Sequence, residues 1–148
     1  MEIRVRIDDH NVRSALDGMA GRLESLEPVM DLVGQFVCEV VDENFQAEGR
    51  PDAWDPLKKV TLARKKAGQK ILEGESGRLR EGIHVEDSGK NFVIVAPDDL
   101  VYARIHQLGG QAGRNLAATI PARPYLVLQP GDEEHIEGLI TDFVMGRL

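Results

Sequence analysis

The segment from Pro28 to Ala47 constrains the fold more than any other part of the chain. Val29, Leu32, Val33, Phe36, Val37, Val40, Val41 and Phe45 recur there at three- and four-residue steps. Asp31, Gln35, Glu39, Asp42, Glu43 and Gln46 take the opposite face. This spacing predicts a helix over 28–47, with Pro28 in the first turn, where its missing N–H costs little. The stripe is rich in valine, so burial rather than intrinsic propensity must hold the helix. At 148 residues the chain can supply that burial, because a domain of this size hides about 70% of its unfolded surface.

Other elements read less strongly. Ile3, Val5 and Ile7 alternate with Arg4 and Arg6, which predicts a half-buried edge strand over 2–7. Asp8 and Asp9 offer an N-cap to a helix over 11–26, whose stripe is Val12, Ala15, Leu16, Met19, Leu23 and Leu26. Gly18 and Gly21 weaken that helix by about 1 kcal/mol each. A short helix is expected from Leu57 to about Ala67, stopped by Gly68. Ile83 to Ser88 and Asn91 to Ala96 form a hairpin around Gly89-Lys90, with Ile83, Val85 and Asp87 sharing one face. A helix from Leu100 to Leu108 follows, capped by Pro97-Asp98-Asp99 and closed by Gly109-Gly110. Pro121 and Pro124 restrict 120–128 to an edge strand or extended chain. Ile136, Leu139, Ile140, Phe143 and Val144 stripe a last helix over 133–147.

The expected fold is therefore α+β in a single domain, 1–148. A small antiparallel sheet, the hairpin 83–96 plus edge strands 2–7 and 120–128, packs on helices 11–26, 28–47 and 133–147. A flexible segment is expected over about 49–80 and a mobile loop over about 109–119.

Charge narrows the function. The net charge of −7 comes from 25 acids against 18 bases. That balance disfavours general nucleic-acid binding and a polybasic membrane role. The charges are also segregated. Glu24 to Glu48 carries seven acids and no Lys or Arg, whereas Lys58 to Lys70 carries six bases and no acid. The acidic face reads either as solvated surface or as a face turned to a partner or a lumen. The basic run reads as a solvated or partner-facing segment, or as a small DNA-contact patch. No apolar run approaches the length of a membrane span, and a signal-peptide core is missing from the first residues, so a soluble protein made inside a cell is expected.

Catalytic signatures are sparse. Gly109 to Arg114 is glycine-rich but follows a helix, not the strand a phosphate cradle needs. His10, His84, His106 and His135 lack the spacing of paired metal ligands. Acids in Asp132-Glu133-Glu134-His135 are expected at a helix start. Cys38 reads as a small buried group, and with one cysteine no internal disulfide exists. Ser14, Ser25, Ser76 and Ser88 lack a strand–elbow–helix setting. No enzyme, cofactor or metal is expected.

Two segments carry residues of special geometry: Tyr102 to Gly110, and Ile120-Pro121-Ala122-Arg123-Pro124-Tyr125-Leu126. The prolines flanking Arg123 fix φ and hold the chain extended. The segment is either a rigid loop packed on the domain or a preset arm for a neighbouring subunit.

An ordered set of motifs now spans roughly Val29 to the C-terminus. It comprises Trp54, Leu57, Thr61 and Arg64; Gly68 with Ile71-Leu72; Ser76-Gly77-Arg78-Leu79; Tyr102-Ala103; His106-Gln107-Leu108-Gly109-Gly110; and the Ile120 to Leu126 signature. This order resembles the phage virion morphogenesis family, also called the tail completion family, of Mu-like phages and prophages. Tyr125 stands where that family most often has Phe. The resemblance implies a structural virion protein, made in the bacterial host cytoplasm and located in the tail or neck. It implies a role in tail completion, as a tail terminator or neck protein in head-tail joining. Its expected partners are other copies of itself in a homo-oligomeric ring of hexamer type, the phage tail tube and the head-tail connector. DNA would pass through without being specifically bound.

On that reading the interface candidates are Trp54, Arg64, Tyr102, His106, Gln107, Gly109, Gly110, Ile120, Pro121, Arg123, Pro124 and Tyr125. Glu39, Asp42 and Glu43 are candidates for lumen charge, since an acidic lining repels phosphate. Two alternatives remain: a transient assembly factor absent from the mature virion, and a small DNA-binding module using Lys58–Lys70.

Overall fold

Helix α2, Glu27–Gln46, is the axis on which the chain folds. The computed structural model describes residues 2–6, 8–74, 77–98 and 101–148. Val29, Met30, Val33, Val40, Val41 and Phe45 of α2 are buried, as the stripe requires. The other elements are α1 (His10–Leu23), α3 (Lys59–Leu62), α4 (Arg78–Glu81), β1 (Ile83–Ser88), β2 (Val93–Pro97), α5 (Ala103–Leu108), β3 (Gly110–Ala112), β4 (Ala118–Ile120) and α6 (Pro130–Val144). The fold is α+β in a single domain. Its central cluster joins Val41 and Phe45 to Trp54, Leu79, Ala103 and Tyr125.

Hairpin β1–β2 lies across α2. Gly34 makes this contact close: a Cβ there would come within 2.7 Å of Val85 and 2.8 Å of Val93. The hairpin is antiparallel, with a bulge between Val85 and Asp87. The bulge adds a residue, Glu86, to one strand and shifts the facing that follows it. Ile83 and Val85 are half-buried, but Asp87 is exposed, contrary to strict alternation.

The sheet is smaller than the sequence suggests. Among the described residues there are two separate two-stranded sheets, β1–β2 and β3–β4. The edge strand expected over 2–7 does not form. Residues 2–6 lie outside any sheet, with Ile3 and Val5 81% and 79% exposed; Ile7 lies outside the described residues. Alternation specifies a face, but among the described residues no strand pairs with it. The strand expected over 120–128 is also corrected. Pairing stops at Ile120, and residues 121–129 run without a ladder. Pro121 and Pro124 have no N–H to give to one.

Helix boundaries shift by a few residues. The α1 helix ends at Leu23 rather than 26, and α6 starts at Pro130 rather than 133. Gln129 and Asp132 form a capping box at the α6 start, with the Gln129 N–H donating to Asp132 at 2.8 Å. The helix expected over 57–67 shrinks to four residues, α3, which buries nothing. Like charges without acids give such a helix little support. The expected mobile loop 109–119 contains hairpin β3–β4 and a 3₁₀ turn at Arg114–Leu116. The cap placed at Pro97-Asp98-Asp99 does not precede α5, which Tyr102 precedes instead; Asp99, Leu100 and Ser76 lie outside the described residues.

Candidate partner interface

The Pro-bounded segment is held by side chains in place of a strand ladder. Asn44 of α2 is fully buried and donates through Nδ2 to the carbonyl oxygens of Tyr125 and Val127, both at 2.9 Å. Trp54 Nε1 donates to Pro124 O at 3.0 Å. Gln107 of α5 accepts from the N–H groups of Tyr125 and Leu126 at 2.9 and 3.0 Å and donates to Leu126 O at 3.2 Å. Every anchor is an amide or indole group aimed at backbone that has no ladder partner.

Three large motif side chains point inward. Tyr125 is 1% exposed, and its hydroxyl donates to Ala103 O at 3.2 Å. Trp54 is 7% exposed and meets Phe45 edge-on at 5.8 Å between ring centroids. Arg123 is 5% exposed, and its guanidinium donates to Asp55 O at 2.9 and 3.1 Å and to Pro56 O at 3.4 Å. The Arg123 N–H donates to His106 O at 2.7 Å. These residues tie the 50s loop, α5 and segment 121–128 together. Of the two sequence readings of this segment, the packed rigid loop describes its side chains.

Several motif positions nevertheless converge on one surface cleft of about 230 Å³. Leu57, Thr61, Leu79, Tyr102, His106 and Arg123 line it, with Lys65 and Arg78. Tyr102 is exposed and sits edge-on to the His106 ring at 6.0 Å. Burial, and then the nearby Arg123 charge, push the His106 pKa below its ordinary value. His106 Nδ1 is buried without a hydrogen-bond partner among the described residues. Arg64 is exposed beyond the end of α3. Gly109 and Gly110 begin hairpin β3–β4, where Gly110 faces Ile120. Gly109 has φ +72°, and a Cβ there would lie 2.8 Å from Ala122 N. Pro121 is half-buried and Pro124 exposed.

Two acids of α2 pair with bases outside the 58–70 run. Arg80 pairs with Asp42 through two contacts, one of them 2.9 Å, and Gln46 adds a bond to Asp42 at 2.6 Å. The Arg80 hydrogen bond pulls the Asp42 pKa down. Arg50 binds Glu43 at 2.6 Å and Asn44 Oδ1 at 2.8 Å. Glu39 is exposed. Part of the basic run is spent on backbone: Lys70 Nζ donates to Gln46 O at 2.6 Å, and Lys65 Nζ to Glu73 O at 2.7 Å. Lys58, Lys59, Arg64 and Lys66 stay exposed.

Sequence reasoning missed Asn44 and Arg50. A polar residue between Val41 and Phe45 on the apolar stripe was the available signal for Asn44. Arg50 gave none, because its partners come from α2 and α6. Cys38 is half-buried on α2; burial, and then Glu39, raise its pKa, so the thiol stays protonated at neutral pH. Among the described residues, no three His, Cys, Asp or Glu side chains gather in a way that would hold a metal ion. Nor is any described helix long and apolar enough to cross a membrane.

Comparison with known proteins agrees with this architecture of ordered motifs. The model of the phage virion morphogenesis family matches residues 7–145. A curated relative, Mu-like prophage FluMu G protein 2 of Haemophilus influenzae, is 34% identical over 142 residues, covering 95% of each chain. No solved structure matches. With the family model and the relative both spanning nearly the whole chain, this protein belongs to the phage virion morphogenesis family.

Proposed function

We propose that this chain is a structural subunit that completes the head-proximal end of the tail, as a ring-forming terminator or neck protein in head-tail joining. Family membership supports the morphogenetic role. The observation that carries the finer reading is the apolar surface left open by a single chain. Helix α1 buries none of its residues, and Val12, Leu16 and Leu23 are 57–60% exposed. Ile3 and Val5 are exposed as well. Monomeric proteins rarely leave such patches uncovered, whereas subunits of closed assemblies present them to their neighbours. In such a ring Glu39 supplies lumen charge, while Asp42 and Glu43 already serve Arg80 and Arg50.

The role is one of shape and contact, with no chemical step. Disrupting the gene in its prophage and inducing it should yield filled heads and separate tails by electron microscopy. Mass spectrometry of purified virions should find the protein at fixed copy number. Its absence from virions that still depend on it would favour a transient assembly factor. Intact, infectious virions without the gene would sink both readings.

A further inference from the structure

The chain carries a strand-patterned arm outside any sheet and an apolar groove beside an open sheet edge. The groove, of about 330 Å³, lies along α2. Val33, Val37 and Val41 form its floor, Val93 and Val95 of β2 one side, and the segment around Val127 another. The flanks are anchored at different points of α2, the hairpin at Gly34 and Val127 at Asn44. Those points are ten residues apart, so the two flanks meet α2 at different heights along its axis. Among the described residues β2 pairs only with β1, which leaves its other edge open as on any sheet edge.

The arm is residues 2–6, whose sequence alternates as a strand should yet exposes Ile3 and Val5. It has five residues, and β2 spans Val93–Pro97, also five. Charge selects it further. No Lys or Arg occurs in α2, β1, β2 or α6, whereas Glu86, Glu133 and Glu137 do. Glu2, Arg4 and Arg6 lie on the polar face of the N-terminal arm, where Arg4 pairs with Glu2 at 3.0 Å and Arg6 is exposed.

We infer that residues 2–6 of one copy add as a strand to the open edge of β2 in a second copy, seating Ile3 and Val5 over Val33, Val37 and Val41. Main-chain pairing supplies affinity, and the apolar floor with its acidic surround supplies register and choice of partner. The contact is head-to-tail, so each copy both gives an arm and receives one. This inference rests on the reading of the chain as a ring subunit and names the joint between neighbours.

The test uses the full chain. Isotope-labelled protein carrying Ile3→Asp and Val5→Asp, exposed positions whose change spares the core, is titrated with a synthetic peptide of residues 1–9. The expected result is amide shifts at Val93, Val95 and Val127, and none with a peptide bearing the same two aspartates. Shifts elsewhere, or none at millimolar peptide, overturn the inference. Light scattering from micromolar to millimolar should show wild-type mass rising with concentration while the double variant keeps the mass of one chain. Equal association by both proteins also overturns it. A wild type that stays single while the variant binds peptide would mean that each arm fills its own groove, overturning the second-copy assignment. None of these outcomes bears on whether virions contain the protein, which tests the ring reading separately.

Discussion

Gln107 reads the backbone of Leu126 from both sides, accepting its N–H at 3.0 Å and donating to its carbonyl at 3.2 Å. One side-chain amide thereby does what a neighbouring strand would do for that residue. Replacing Gln107 by Ala leaves half-buried N–H and C=O groups without partners, at about 1–3 kcal/mol. Urea unfolding should show a loss in this range. Gln107→Glu keeps the acceptor and loses the donor, so it should fall between the two. A Gln107→Ala protein as stable as wild type would overturn this account.

Asn44 should matter more. Its Nδ2 serves two carbonyls and its Oδ1 accepts from Arg50, all from a site with no solvent exposure. Asn44→Leu suits the apolar stripe of α2 by sequence criteria alone. It should nevertheless destabilise by about 3 kcal/mol, because three buried polar groups lose their partner. A neutral or stabilising Asn44→Leu would show that the segment does not depend on this anchor.

Two glycine substitutions should have opposite signs. At Gly21 nothing lies within 4 Å of a new Cβ, so Gly21→Ala should stabilise by about 0.5–1 kcal/mol through helix propensity. At Gly34 the new Cβ collides with Val85 and Val93, and overpacking of this kind costs about 1–3 kcal/mol. Gly34→Ala should therefore lower the melting temperature while Gly21→Ala raises it. Equal shifts of the same sign would contradict the close seat of the hairpin on α2.

Stability should fall on mild acidification, and His106 is the reason. Its folded pKa lies below the ordinary 6.5, so the unfolded chain takes up the proton first. The stabilising contribution is complete above pH 6.5 and is lost as pH drops from there towards the folded value. His106→Gln should flatten the stability profile in that window. At lower pH the Asp42–Arg80 pair takes over: its depressed pKa gives stability above the ordinary 3.8, lost as pH falls through the folded value. An unchanged profile in His106→Gln would place the mild-acid transition elsewhere.

Charge neutralisation separates structure from surface. Asp42→Asn should lower stability and Glu39→Gln should not, since Asp42 is paired and Glu39 is exposed. If both variants assemble into virions, Glu39→Gln is the one whose effect on DNA passage can be read without a folding defect. A destabilised Glu39→Gln would remove that distinction.

The sequence made α2, α6 and the hairpin legible because each buries one periodic face against a neighbour. Glu86 broke the reading of β1, since a bulge has no periodic signature. Residues 2–6 were legible as a strand pattern, but a pattern does not say which chain provides the neighbour. The segment around Tyr125 was legible as extended through its prolines. Its anchors were not, because Asn44, Trp54 and Gln107 lie at least 18 residues away and meet it only through the tertiary fold. The motif order identified the family, whereas the inward direction of Trp54, Arg123 and Tyr125 had to be seen.

Helix α1 is attached to the rest by little, one contact being Arg22 Nε to Val144 O at 2.8 Å. It has 14 residues, two of them glycine, and buries none. A helix of that length has marginal stability in water by itself. On the proposed ring reading its order reports assembly: in the single chain α1 should exchange its amide protons quickly, and within a ring slowly. Such a subunit would finish folding with one helix left for its neighbours to complete.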